Sequence, residues 1–186
     1  PERFRAYLSI NPNYPELVRK ELPLLDAHPE AFLGLKLHPS SHNTSLESSA
    51  YSEAMALANE RKMPVLIHTW GGTQFCGPAQ ISSLAARYPN AVLILGHSLY
   101  GAWKEAIVVT KEHPNTFLEL TAVVGKRGVV EMLVAGAGSE RILYGTDLPW
   151  FDEHFYLGNI LCADISEDDR HNILHRNAER ILGLSS

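Results

Sequence analysis

Cysteine is scarce in this sequence, with two residues, Cys76 and Cys162, among 186. Two thiols cannot staple a disulfide scaffold and suit a reducing compartment, so a cytoplasmic location is expected. Long apolar runs are missing too. The longest, such as Ala91–Leu95, are strand-sized and cannot span a bilayer, so no membrane partner is expected. Positive charge is in deficit: 16 Lys and Arg stand against 21 Asp and Glu, a net charge of −5. That balance gives no basic footprint for nucleic acid. Gly-x-Ser-x-Gly and Walker patterns are absent, and Gly136 and Gly138 read as a turn too sparse for a dinucleotide fingerprint. Neither a signal-peptide pattern nor an initiator Met opens the chain at Pro1.

What is present is an alternation. Short runs rich in Val, Ile, Leu and aromatics at Phe4–Ile10, Leu33–His38, Val65–His68, Val92–His97, Thr116–Leu120 and Ile142–Asp147 have the length of buried parallel strands. Helical patterns lie between them. Thr44 and Glu47 have capping-box spacing ahead of Leu46, Ala50, Ala54 and Leu57. Pro78 opens a segment with Ile81, Leu84, Ala85 and Tyr88 on one face, and Trp103, Ala106, Ile107 and Thr110 repeat that spacing. His154–Ala163 reads as helix, and Ser166 caps a last one that carries Ile173 and Leu174 towards Leu182. Strands alternating with helices predict βαβ units and a parallel sheet, an α/β fold in one domain spanning residues 1–186.

The polar residues that end these strands carry the chemistry. Lys36 and His38 end the second run, His68 the third, His97 the fourth and Asp147 the last. C-terminal strand ends form the ligand face of parallel α/β proteins, so these side chains are expected at one rim. Three imidazoles, an amine and a carboxylate together make a ligand set for a divalent metal. Alternation places Lys36 and His38 on the same face. Lys36 reads as a catalytic or metal-bridging amine, as the buried partner of a carboxylate or as simply solvated, and Trp150 as pocket lining or rim packing. His171 and His175 have metal-capable i, i+4 spacing but lack the glutamate of the protease motif, which leaves them as surface residues. Cys76, in the loop after His68, reads as packing rather than nucleophile. His28, His42, His113 and His154 fall in loops or at helix ends and are assigned nothing.

Gly34-Leu-Lys-Leu-His-Pro39, Pro64-Val-Leu-Ile-His-Thr69, Ile94-Leu-Gly-His97 and Arg141-Ile-Leu-Tyr-Gly-Thr-Asp-Leu-Pro149 resemble, in order, the amidohydrolase-related family, the branch that includes aminocarboxymuconate semialdehyde decarboxylase-like enzymes. Asn177-Ala-Glu-Arg-Ile-Leu182 resembles that family's usual C-terminal helix. The resemblance implies an eightfold (β/α) TIM barrel, here incomplete, with strands three to eight present and strands one and two absent. It numbers the strands ending in His68, His97 and Asp147 as five, six and eight. The family's first strand carries a His-x-His pair of metal ligands, a pattern not found in these residues. A typical barrel of ~250 residues is roughly 60 longer than this chain.

By the same resemblance a divalent ion, zinc, is expected on His68 and Asp147, with His97 a second acid–base group or a further ligand. Asp147 takes the proton of the attacking water, and Lys36, His38 and Trp150 contact a small-molecule substrate. The implied reaction is hydrolysis of an amide, lactone or ester. The alternative is non-oxidative decarboxylation of an aromatic or unsaturated acid, and a further alternative is a non-catalytic barrel scaffold. An unclosed sheet edge or an exposed helix face would favour a homodimer.

Overall fold

Strand pairing follows chain order without a crossover. The computed structural model describes residues 4–123 and 126–184. In it β1 (Ala6–Ile10), β2 (Phe32–Leu37), β3 (Pro64–Trp70), β4 (Val92–Tyr100), β5 (Thr116–Glu119) and β6 (Ile142–Leu143) form one sheet in the order β1-β2-β3-β4-β5-β6. Every neighbouring pair is parallel. Parallel neighbours need crossover connections, and the segments between strands supply them as helices, among them Ser52–Arg61, Pro78–Arg87, Trp103–Glu112 and Val129–Ala137. Among the described residues β1 and β6 are the sheet's edges and do not pair with each other.

Period-two alternation sorts the strand side chains onto two faces. Leu35, Leu37, Val65, Ile67, Leu93, Leu95 and Leu118 are fully buried in one continuous core with Met55, Ile81, Leu84, Ala106 and Leu133 of the helices. The opposite face carries a smaller apolar cluster of Ile94, Phe117 and Leu143, covered by Ala178, Ile181 and Leu182 from the last helix. The same face carries the polar residues at the strand ends. β2 comes so close to β3 that a Cβ at Gly34 would collide with the Pro64 carbonyl, so only glycine fits there. No helix among the described residues is long and apolar enough to cross a membrane.

Several boundaries differ from the sequence reading. The expected Thr44–Glu47 capping box does not form. The turn Pro39–His42 ends at Asn43 in the left-handed region, and the Thr44 hydroxyl donates to the His42 carbonyl at 3.0 Å. Ser48 caps instead, opening a tight 3-10 turn that runs into Ser52–Arg61. Gly136 is not in a turn: it lies inside the helix Val129–Ala137, which the apolar run Val129, Val130 and Leu133 buries, while Gly138 ends it at φ 87°. The last strand stops at Leu143 rather than Asp147. Its partner β5 ends at Glu119, and the next amide, of Tyr144, donates to the Ile173 carbonyl instead. The Ser166 cap forms as expected, as a reciprocal capping box with Asp169.

Candidate active site

His68 and His97 arrive at the C-terminal ends of two adjacent strands, and their rings meet. His97 Nε2 lies 3.0 Å from His68 Nδ1, the rings edge-on at 72°. His38 stacks flat on His68, centroids 4.0 Å apart. Trp70 lies 6.0 Å from His68 with its plane nearly parallel, and Tyr100 stacks on Trp70 at 4.4 Å. The strand ends therefore build a wall of flat rings beside the imidazole pair.

The backbone that presents His97 is unusual. His97, Ser98 and Leu99 all adopt the left-handed region, with φ of 69°, 48° and 53°. Each such residue other than glycine costs about 1–2 kcal/mol, so the turn must be held by its surroundings. Two groups hold it. The Thr69 hydroxyl donates to the Gly96 carbonyl at 2.7 Å and accepts from the Leu99 amide at 2.9 Å. Glu119, at the end of β5, accepts from the His97 amide at 3.2 Å and the Thr121 amide at 2.8 Å, and also from the Thr121 hydroxyl. The Ser98 hydroxyl donates to the Glu119 carbonyl at 2.8 Å.

Glu119 was not among the residues singled out from the sequence. The signal was present: it is the lone acid in the run Phe117-Leu-Glu-Leu120, on the inner-face register shared with Phe117. A carboxylate in a buried strand is costly without partners, so such a residue points to a job. Gly145 makes room for it, because a Cβ there would overlap the Glu119 carboxylate.

Below the imidazole pair lies a cavity of about 250 Å³ lined on its polar side by Tyr7, Lys36, His97, Glu119, Thr121 and Asp147. Burial dominates its electrostatics. His68 is pushed down to about 3, by burial first and then by the neighbouring His38, His97 and Lys36. His97 is lowered by burial, against the opposing pull of Asp147, and His38 by burial and Lys36. Burial lowers the Lys36 amine while Glu119 and Asp147 hold it up. The Glu119 carboxyl is raised by burial, opposed by its Thr121 and His97 donors and by Lys36. Tyr7 is pushed up to about 12 by burial and Glu119. Three imidazoles are thus held neutral at one rim. The Thr121 backbone lies near the His97 ring and favours its protonated form, yet the buried Nδ1 makes no hydrogen bond of normal geometry.

The expected site residues do not all converge. His38, His68 and His97 are in contact, and Lys36 and Asp147 share the cavity with His97. Asp147 is exposed, at φ 57°, and His68, His97 and Asp147 do not bring ligand atoms within 4.8 Å of one another. Among the described residues the group that does so is Asp152, Glu153 and His154, all exposed. Trp150 is 80% exposed and lies outside the cavity lining, tied to Asp147 through its backbone amide at 2.9 Å. Cys76 is buried with its thiol pushed up by burial, the opposite of an activated nucleophile.

A family model described as amidohydrolase matches residues 1–184. Protein fluG of Emericella nidulans is 29% identical over 123 residues, which cover 60% of this chain and 14% of that protein. The chain thus matches only about a seventh of the length of this curated relative. An uncharacterised TIM-barrel protein of Bordetella bronchiseptica superposes with a TM-score of 0.85 at 21% identity, covering 99% of this chain and 68% of that one. A dihydroxybenzoic acid decarboxylase of Polaromonas sp. JS666, solved with bound manganese and the inhibitor 2-nitroresorcinol, superposes with a TM-score of 0.76 at 19% identity, covering 98% and 70%. At such identities the likeness shows the fold: the six-stranded sheet is part of a TIM-barrel architecture.

Proposed function

The chain belongs to the amidohydrolase family, and from that premise we propose that His68 and His97 anchor a divalent metal beside a cavity for a small acyl- or carboxyl-bearing substrate. The observation that carries this reading is the 3.0 Å approach of His68 Nδ1 and His97 Nε2. Both rings are kept neutral by burial, which is the form that ligates, and Asp147 offers a carboxylate oxygen from the same cavity as His97. Nitrogen donors with one oxygen suit zinc, and they also suit the manganese recorded in the Polaromonas decarboxylase. When bound, such an ion would polarise a carbonyl and acidify water.

The chain's own groups then divide the work. Lys36, half-buried in the cavity, would pair with a substrate carboxylate, which would restore the charge that burial disfavours. Asp147 would accept the proton of the attacking water. Were the ion instead held by His68 and Asp147 without His97, that imidazole, neutral and next to the cavity, would take up or return a proton at the reacting centre. His38 and Trp150 would contact the substrate at the rim. In this first reading the reaction is hydrolysis of an amide, lactone or ester.

Decarboxylation is a second reading, favoured by the flat wall of His38, His68, Trp70 and Tyr100. Such a wall suits a planar, unsaturated acid. Here Lys36 would hold the carboxylate and His97, in the arrangement where it does not ligate the ion, would deliver the proton to carbon. Zinc- and manganese-loaded protein should be assayed for lactone and ester hydrolysis and for carbon dioxide release from aromatic acids. Whichever product forms selects the reading, and Asp147→Asn should abolish turnover with the fold intact. Near-normal turnover in that variant sinks the assignment, and a protein that binds no metal and is unchanged by His68→Ala is the scaffold alternative. A homodimer remains our proposal for the assembly, to be read by light scattering.

A further inference from the structure

The last helical run carries a second group of ligand-capable side chains, separate from the strand-end histidines. Residues 167–182 form one continuous helical run: Glu167–His171 is α-helical, Asn172–Arg176 widens into a π-turn, and Asn177–Leu182 is α-helical again. His171 and His175 are both exposed on this run. Nδ1 of His171 lies 3.1 Å from Nε2 of His175, the ring planes at 88°. The other nitrogen of His175, Nδ1, lies 3.0 Å from Oε1 of Glu179. We propose that His171 and His175, backed by Glu179, form a second metal site, a two-histidine clamp for a borderline divalent ion such as zinc or nickel, independent of the strand-end histidines.

Three features of the geometry argue for a clamp rather than a chance pairing. The first is the tautomer. A carboxylate accepts only, so His175 Nδ1 carries the hydrogen, and in the neutral ring, the form that ligates, Nε2 is the bare nitrogen. A shift of the His171 hydrogen to its Nε2 then leaves a lone pair on each of two nitrogens 3.1 Å apart. The second is the span. Metal–nitrogen bonds of about 2.0–2.1 Å place two ligand nitrogens roughly 2.9–3.4 Å apart for angles from 90° to tetrahedral, and the observed 3.1 Å lies inside that range. The third is the support behind the ligand. A carboxylate holding the far nitrogen of a ligating histidine fixes the ring and raises its basicity, and Glu179 does this through one helical turn. Imidazole donors exclude magnesium and calcium, which take oxygen.

The clamp would act on the site through the element that carries it. It closes across the π-turn, an irregularity often found at functional positions. That turn holds β6: the Ile173 carbonyl accepts from the Tyr144 amide at 3.0 Å, and Asn177 Nδ2 donates to Ser139 and Ile142 carbonyls at 2.8 and 2.7 Å. β6 is two residues long and runs on to Asp147, and Ala178 and Leu182 line the cavity. An ion on His171 and His175 binds the native helix alone, so it steadies β6 and the loop behind it in proportion to its occupancy.

The test is a calorimetric zinc titration of chelator-treated protein, wild type and His68→Ala, the latter to silence the inner pair. His68→Ala should still bind one zinc, and adding His171→Ala or His175→Ala should remove it. Glu179→Ala should weaken that site roughly 10–100-fold, with Glu179→Gln in between. Magnesium should give no heat, and zinc should slow amide exchange at 171–177 and 142–144. Should His68→Ala fail to fold, the wild type decides through its stoichiometry, which must drop by one zinc in His171→Ala. Zinc binding that His171→Ala leaves unchanged overturns the clamp. Loss of all zinc in a folded His68→Ala protein overturns it as well. Loss confined to the inner ion instead tests the catalytic reading and leaves the clamp standing.

Discussion

A single carboxylate organises the candidate site. Glu119 is 8% exposed, yet it satisfies the amides of His97 and Thr121 and the Thr121 hydroxyl, and so helps to hold three consecutive left-handed residues in place. Truncation to alanine would strand those donors, and a buried unsatisfied donor costs about 1–3 kcal/mol. Glutamine keeps the shape but turns one acceptor into a donor, which would face either the His97 amide or the Thr121 donors. Urea unfolding should therefore rank the wild type above Glu119→Gln and that variant above Glu119→Ala, with faster amide exchange at His97 in both. Equal stability of the wild type and Glu119→Gln would mean that one oxygen suffices and the second bond is idle. Gly145→Ala pushes a methyl into the same carboxylate and should cost about 1–3 kcal/mol, the usual range for overpacking.

At the level of elements, β6 shows how little backbone can hold a functional loop. It pairs with β5 at Ile142 and Leu143 alone, and the adjoining carbonyls of Ser139 and Ile142 rely on Asn177, which is 2% exposed. Asn177→Ala should cost about 2–4 kcal/mol, since two buried carbonyls lose their donor. Asn177→Asp should cost at least as much, because it aims a carboxylate at both oxygens. Urea midpoints of the two variants check the order, and an aspartate milder than alanine would contradict it. Asn177 was legible in the sequence as part of a helix resembling the family's last, but its role was not. A side chain reaching 35 residues back leaves no periodic trace. The runs ending in Lys36, His68 and His97 were legible because buried strands are short, apolar and punctuated by polar ends. The helix Val129–Ala137 escaped because its apolar content hides the 3.6-residue period, and its glycine suggested a turn. The turn at 97–99 could not be read at all: nothing in Gly-His-Ser-Leu marks three left-handed residues, which exist because Thr69 and Glu119 hold them.

For the molecule as a whole, the buried imidazoles make stability depend on pH. His38, His68 and His97 are each lowered by burial, His68 to about 3, while an unfolded chain protonates its histidines near an ordinary value of about 6.5. Below about 6.5 the unfolded chain thus binds protons that the folded chain refuses, and stability falls as the pH falls. Glu119 works the other way. Its raised carboxyl keeps a proton that the unfolded chain has released, so its contribution is lost as the pH rises above the ordinary carboxylate range. Three imidazoles oppose one carboxyl, and that carboxyl is itself drawn back down by Lys36 and its donors, so the histidines should set the slope. Chelator-treated protein should lose unfolding free energy steadily from pH 7.5 to 5.5, a window above the range where ordinary carboxylates titrate. His68→Ala should flatten that slope, because it removes an imidazole pushed down to about 3. Zinc should steepen it, since protons compete with the ion for the same nitrogens. A flat or rising profile in metal-free wild type would mean that these rings take up protons in the folded state, and the neutral, ligating form on which the metal reading rests would be lost with it.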